Sequence, residues 1–519
     1  MGKYKSRKTR TEKSMLNMSV SGASKILMIL FGFVSRSIFI NCLSTEYLGI
    51  NGLFTNILTL LSFAELGIGN AIIYSMYKPL KNNDISLIKS LIALYKKAYS
   101  VIAVVVGIVG VLFIPFLNLI IKSPPKIAEN LITIYLLYLT NTVISYLLTY
   151  KRSILTADQN DYIVSIGQNI FYIIQQTLQV LVLIFNHSFI QYLLIQILCS
   201  LLNNIVNAKI ANKMYPYIIE KNVDKLPEGE RKRIFKDVKA LAISKVSGVV
   251  MNGTDNIIIS KLLGLFSVGL VSNYTLITNA VNGVIWSTLS GITASIGDLN
   301  TENNNVHKKE IFDQVYLITY WIYSFACVCL LVLSSSFITV WLGNKYIVDN
   351  LTVFSMVWII YTTGINFSAY TFRTTMGFFD QVKYVYVASA VVNVVLSIIL
   401  GKWIGLAGVF LATSISRLCT IEIADGVYVY RNGLGISPMI YFRKYIFTFL
   451  LFMLNFIATK TIVDLVHISS ILGFVIKTII CLIVSNVILL ICFYRTNTFK
   501  EIINKFNNIR KKRRIIKAD

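Results

Sequence analysis

Apolar residues along this chain collect into long runs separated by short polar connections. A helix that crosses a bilayer needs about 20 mostly apolar residues. Fourteen stretches meet that requirement: 15–42, 47–76, 97–121, 129–150, 162–186, 188–211, 238–262, 264–297, 312–342, 350–372, 382–402, 404–430, 441–464 and 468–494. Three connections are tight, at Asn186-His187-Ser188, at Leu263-Gly264, and at Gly401-Lys402 with Gly405. Turns this short predict helical hairpins within a single body. The pattern therefore predicts an all-α, polytopic membrane protein with about 14 transmembrane helices.

Composition agrees. Of 519 residues, 55% are hydrophobic and only 14% charged, against roughly 25% charged in soluble domains. Such hydrophobicity excludes a disordered chain, and seven cysteines in this length exclude a disulfide scaffold. The net charge of +25 takes its meaning from its distribution. With both tails and the even-numbered connections assigned to the cytoplasm, those segments hold 38 Lys and Arg, the opposite side holds five, and six lie inside spans. This bias predicts cytoplasmic N- and C-termini. It also accounts for the charge without a nucleic-acid partner. The first 13 residues carry six of the cations, and the apolar run behind them is too long for a signal-peptide core. It reads as a retained first helix.

An internal repeat is visible. Ser24-Lys25 matches Ser244-Lys245 at an offset of 220, and Gly49, Thr55 and Ile57 match Gly269, Thr275 and Ile277 at the same offset. Arg152 matches Arg373 at offset 221, and Asp158-Gln159-x-x-Tyr162 matches Asp380-Gln381-x-x-Tyr384 at 222. Because the offset spans six helices, the copies have the same orientation, as in transporters built from parallel repeats with a cleft between them. The expected organisation is a basic tail (1–14), a six-helix lobe (15–211), a cytoplasmic linker (212–237), a second six-helix lobe (238–430), an added hairpin (441–494) and a second basic tail (495–519). No filter-like loop suggests a channel.

The six cations inside spans are Lys25, Arg36, Lys245, Arg417, Lys460 and Lys477. Each costs about 2.5–3.5 kcal/mol at mid-helix on insertion scales, so such residues face a cavity or a partner. Lys25 and Arg36 fall within about 20° of one line along their helix. Lys245, Asn252 and Asn256 likewise share a face, and the repeat makes the two helices equivalent. The expectation is a cationic cleft in which Lys25, Arg36, Lys245 and Arg417, with Asn252 and Asn256, bind a pyrophosphate or similar anion. Glu65 and Asp255 are then counter-ions or proton- or ion-coupling sites. The plainer reading is ion pairing that fixes helix packing, Arg36 with Glu65 for example. Lys460 and Lys477 are expected to snorkel toward the outer interface or to pair locally, Lys460 with Asp464 at i+4. Glu422 and Asp425 lie toward a cytoplasmic end and read as solvated.

Catalytic chemistry finds no foothold. There is no phosphate loop, dinucleotide fingerprint or HExxH motif. His187, His307 and His467 fall in three separate connections, so no metal and no cofactor is expected. All seven cysteines lie in apolar runs and read as small hydrophobes. In the C-tail, Phe499, Ile502, Ile503, Phe506 and Ile509 keep helical spacing ahead of Arg510-Lys511-Lys512-Arg513-Arg514. This predicts a basic amphipathic helix lying on the anionic leaflet.

Several segments resemble the polysaccharide transporter family. They are Arg36-Ser-Ile-Phe-Ile with Glu46-Tyr-Leu-Gly-Ile-Asn-Gly-Leu-Phe54, Glu65-Leu-Gly-Ile-Gly69 and Tyr77-Lys-Pro-Leu80 in the first half. In the second half they are Thr254-Asp-Asn-Ile-Ile-Ile-Ser260, Val268-Gly-Leu-Val-Ser-Asn-Tyr274 and Gly405-Leu-Ala-Gly-Val-Phe-Leu-Ala412. The resemblance covers most of residues 15–430. It implies a Wzx-type flippase of the MOP superfamily, related to MATE exporters and lipid II flippases, with a V-shaped, two-lobed helical fold and a cationic central cavity. The implied substrate is an undecaprenyl-diphosphate-linked oligosaccharide, moved from the inner to the outer leaflet of a bacterial cell membrane by alternating access. H+ or Na+ would be the coupling ion, membrane lipids the surroundings, and polysaccharide polymerases the neighbours in the pathway. A MATE-like cation antiporter, whose cleft should be acidic, and a lipid II flippase are the alternatives. A membrane-embedded glycosyltransferase or polymerase lacks the large outer loop it would need.

Overall fold

The computed structural model describes residues 10–65, 68–220, 223–224, 226–300, 302, 304–466 and 470–516. Every regular element among them is helical. By packing, the chain forms two compact units, residues 1–272 and 273–519.

The first unit holds α1 (Arg10–Cys42), α2 (Thr45–Leu61), a 3-10 turn (Ser62–Glu65), α3 (Ile68–Asn82), α4 (Ile85–Leu112), the short α5 (Leu117–Ile120), α6 (Leu131–Tyr146), α7 (Thr149–Ala157), α8 (Asp161–Asn186) and α9 (Phe189–Met214). It continues through α10 (Glu228–Gly253), α11 (Asp255–Leu263) and the start of α12 (Leu265–Leu289). Local chemistry sets several ends. Asp84 caps α4 by accepting from Leu87 N at 3.0 Å, satisfying one of the orphan donors of the first turn. Gly264, at φ +95°, makes the abrupt turn between α11 and α12 in a conformation that other residues resist. α1 packs on α8, α8 on α9, and α10 and α11 pack against α2. Ile50, Leu53 and Phe54 of α2 are fully buried, and Phe54 meets Tyr135 edge to face at 5.2 Å.

The second unit holds the rest of α12, α13 (Thr293–Leu299), α14 (Asn305–Trp341), α15 (Asn350–Ile365), α16 (Phe367–Thr375), α17 (Lys383–Ile404) and α18 (Leu406–Arg417). It ends with α19 (Ile423–Val427), α20 (Pro438–Asp464), α21 (Ile471–Phe493) and α22 (Asn497–Ile516). α14 is its axis, packed on by α15, α16, α20, α21 and α22. α17 and α18 form the hairpin expected at Gly405. Two π-helical stretches, Leu418–Glu422 and Tyr428–Gly433, flank α19.

The outward surface is apolar: Val391, Val395 and Ile399 on α17, and Ile446, Leu450 and Leu454 on α20, are all exposed. Such a surface suits hydrocarbon, and the chain is a multi-pass membrane protein. Among the described residues ten helices are long and apolar enough to span, or eleven when α6 and α7, bent by 46°, count as one. The other three expected spans are also helical, but interrupted. The 47–76 run breaks at the 3-10 turn before α3, and the 238–262 run breaks at Thr254. The 264–297 run carries Asn273, Asn279 and Asn282 and passes into a 3-10 turn at Ser290–Ile292. Lys460 pairs with Asp464 at 2.8 Å, as its spacing predicted.

The C-terminal helix forms, but its start is not free to lie on lipid. Phe499 stacks on Trp321 with ring centroids 5.7 Å apart. Gln314 donates to Glu501 at 2.8 Å, and Lys505 donates to Gln314 at 2.7 Å. A protein ring and a buried amide thus take the place expected of the leaflet. The side chains of Phe506, Ile509 and the basic run lie outside the described residues, as does His467.

Candidate functional site

The repeat becomes a physical contact in the first unit. A Cβ on Gly49 would overlap the carbonyl of Leu265, and a Cβ on Gly269 would overlap the carbonyl of Thr45. Thr45 and Leu265 are themselves one offset of 220 apart, as are Gly49 and Gly269. So α2 and α12 cross backbone to backbone through two reciprocal contacts. A second reciprocal pair flanks the crossing. Arg36 Nη1 donates to Ser272 Oγ at 2.8 Å, and Asn256 Nδ2 donates to the Gly52 carbonyl at 3.4 Å. Arg36 and Asn256 are again 220 apart, and so are Gly52 and Ser272. Residue i touches j′ while j touches i′, the signature of a self-complementary two-fold contact. Small residues at such a crossing let helix backbones approach closely inside a membrane.

Chemistry breaks this symmetry. One copy supplies a guanidinium, the other a neutral amide. Tyr138 and Tyr192 stand near Arg36, and Tyr138 donates to Asn51 at 2.6 Å. Lys25 is half-buried on α1, beside Ser24, which accepts from Asn169 of α8. Lys245 and Asn252 belong to α10, but their side chains lie outside the described residues. Asp255 is half-buried in the first turn of α11, just past the break at Thr254.

Glu65 lies in another environment. It ends the 3-10 turn after α2, on the wall of a cavity of about 570 Å³ shared with Tyr95, Tyr99, Arg152 and Asp161. Tyr99 donates to Glu65 Oε1 at 2.8 Å, and Thr156, also on the wall, donates to Asp161 at 2.9 Å. Glu65 thus shares its cavity with Arg152, whereas Arg36 bonds Ser272. Sequence reasoning had Arg152 only as a repeat marker. The signal available was an in-span glutamate together with an arginine just past the end of another expected span, 129–150.

Arg417 belongs to the second unit, in a cluster the sequence did not predict. Glu422 is 3% exposed and Asp425 is fully buried, which overturns the expectation that they are solvated. Arg373 Nε pairs with Asp425 at 2.6 Å, Asn366 donates to the same carboxylate at 2.9 Å, and Arg373 also donates to the Phe378 carbonyl at 2.8 Å. A buried carboxylate is tolerable only with partners of this kind. Tyr445 donates to Glu422 at 3.3 Å, and Arg417 acts on both acids through space. Glu422 also backs a second cavity, about 420 Å³, whose wall is aromatic: Trp358, Tyr441, Phe442, Tyr445 and Phe449. Glu422 closes the π-helical stretch 418–422, a distortion often found at functional sites.

No family model matches this sequence, and neither does any curated protein. Solved structures do match. The lipid II flippase MurJ in an inward closed conformation superposes with a TM-score of 0.67 at 15% identity, over 92% of this chain and 98% of that one. An inward-facing multidrug resistance MATE family transporter of the MOP superfamily gives 0.58 at 13% identity, over 77% of this chain and 92% of that one. A mutant of the Vibrio cholerae MATE transporter VcmN gives 0.53 at 12%, over 80% and 96%. At these identities the likeness is one of fold: this chain has the architecture of the lipid II flippase MurJ and of the MATE transporters of the MOP superfamily.

Proposed function

We propose that this membrane protein is a flippase for an undecaprenyl-diphosphate-linked oligosaccharide, carrying the repeat unit from the inner to the outer leaflet of the bacterial cell membrane for surface polysaccharide synthesis. A charged headgroup cannot cross about 30 Å of hydrocarbon unaided. In this reading residues 15–211 and 238–430 are the two moving lobes, both termini are cytoplasmic, and the headgroup passes through a wet cleft while its lipid tail stays in the bilayer. Lys25, Arg36 and Lys245 hold the diphosphate, Arg36 by its bidentate fork; Asn252 and Asn256 supply neutral donors. Asp255, at the helix break, is the coupling group for H+ or Na+, and Arg417 steadies the acids of the second unit. Polysaccharide polymerases are the expected partners downstream.

The observation that carries the reading is the reciprocal crossing of α2 and α12, with Arg36 bonded to Ser272 beside it. Repeat-related helices that touch through bare backbone can part and re-form with little side-chain rearrangement, as alternating access requires. An arginine at that place gives the pathway its preference for anions. Likeness in fold to a lipid II flippase supports the same class of transport, and lipid II itself is the second candidate substrate. A MATE-like exporter of organic cations fits less well, because cations outnumber acids within the spans.

The test replaces Lys25, Arg36 and Lys245 singly with Ala and measures surface polysaccharide at matched membrane levels. Loss of polymer in the Arg36 variant is the expected result. Wild-type polymer in all three would remove the cationic pathway.

A further inference from the structure

The cavity beside Glu65 does not suit a diphosphate. Its ionisable wall comprises two carboxylates, Glu65 and Asp161, against one guanidinium, Arg152. A phosphate would meet net negative charge there, whereas a guanidinium, that of Arg36, stands at the crossing of α2 and α12. The remaining polar wall consists of hydroxyls, among them those of Tyr95 and Tyr99. The two rings meet edge to face with centroids 4.5 Å apart. Gly69 keeps this corner open, since a Cβ there would approach the Tyr99 and Tyr95 hydroxyls to 2.8 and 2.9 Å.

We propose that this cavity, walled by the 3-10 break after α2, by α3, α4 and α7 and by the start of α8, is a saccharide subsite that takes a sugar ring of the transported headgroup. The inference rests on the flippase reading and adds to it a second locus, chemically distinct from the diphosphate site. Every hydroxyl of a sugar both donates and accepts, so a sugar is matched by a wall that mixes acceptor-only, donor-only and hydroxyl groups. Glu65 and Asp161 accept, Arg152 donates, and the tyrosine, serine and threonine hydroxyls of the wall do either. The volume, about 570 Å³, falls in the range of small-molecule sites. The pyrophosphate and the sugar are thus read in different places: Arg36 senses that the cargo is a lipid diphosphate, and the Glu65 cavity senses which sugar it carries. This gives Glu65 a substrate role in place of the counter-ion or coupling role.

The experiment uses the full-length protein in lipid nanodiscs and saturation-transfer NMR. The probes are inorganic pyrophosphate, tetramethylammonium, and the methyl glycosides of glucose, galactose, N-acetylglucosamine and glucuronate. At least one glycoside should give a saturable signal that weakens about 10-fold, or about 1.4 kcal/mol, in Glu65→Gln and in Arg152→Gln, while pyrophosphate binding is unchanged. Retained pyrophosphate binding also shows that these variants are folded. Arg36→Gln should do the reverse. The sugar subsite falls if no glycoside binds the wild type, if Glu65→Gln and Arg152→Gln leave glycoside binding intact, or if tetramethylammonium displaces the glycoside. In those cases pyrophosphate binding that is lost in Arg36→Gln leaves the flippase reading standing. Absence of pyrophosphate binding with glycoside binding retained removes the diphosphate site instead.

Discussion

Each unit contains a cavity with a glutamate on its wall, and the two are built oppositely. Around Glu65 the wall is hydroxyl-rich and holds Arg152 and Asp161. Around Glu422 it is almost wholly aromatic and aliphatic, and the neighbouring charges turn away from it, Asp425 onto Arg373 and Asn366. Both glutamates sit where regular α-helix gives way, one at a 3-10 turn and one in a π-helical stretch. Irregular backbone within a membrane protein is tolerated where it lines a cavity or is buried in protein, and these two sites exemplify the two cases. A chain break with an acid therefore does not by itself mark a binding site. What distinguishes the sites is the wall: Asp425 pairs with Arg373 away from the hollow, whereas Glu65, Asp161 and Arg152 all line theirs.

The comparison can be broken by mutation. If the ion pair of the second unit is internal support, Arg373→Ala should destabilise the protein by about 3–5 kcal/mol, because it strands a buried carboxylate. Thermal unfolding in detergent would show this as a large fall in Tm. Arg152→Ala, on the cavity wall of the first unit, should cost less than about 1 kcal/mol by the same measurement. Comparable losses for the two would erase the distinction.

Gly49→Val and Gly269→Val come next. Each forces a side chain into a facing carbonyl, and overpacking of this kind costs about 1–3 kcal/mol. Because both act on a single crossing, the double variant should cost clearly less than the sum. Additive losses would mean that the two contacts are independent and that the two-fold reading of the crossing is wrong.

Tyr445→Phe should cost about 1 kcal/mol by leaving Glu422 with one donor fewer. Tyr99→Phe should cost less, since water in the polar cavity can replace the lost bond to Glu65. A double-mutant cycle with Glu65→Gln measures that second coupling directly, and a value above that of the Tyr445–Glu422 pair would invert the ranking. On membrane insertion, the smallest effect is expected from removing 499–519. It forfeits the Phe499–Trp321 stack, about 0.5–1.5 kcal/mol beyond area burial, and should leave membrane insertion intact by fractionation.

The sequence determined the helices and their turns. Long apolar runs fix spans because the backbone must bond to itself in hydrocarbon, and Gly264 and Gly405 mark hairpins through a conformation that glycine adopts freely. The offset of 220 was legible too, since repeat copies keep glycines wherever backbones touch. Arg36 and Asn256 could be assigned to a helix face by angle alone. Their partners, Ser272 and Gly52, could not, because a helical wheel says nothing about which neighbour meets a face. Only the tertiary structure decided that Glu422 and Asp425 are buried, that Arg373 reaches Asp425, and that Arg152 shares a hollow with Glu65. Spans and turns follow from interactions among residues near in sequence and from transfer into lipid. Ion pairs and cavities depend on which distant helices pack together, and no local pattern records that choice.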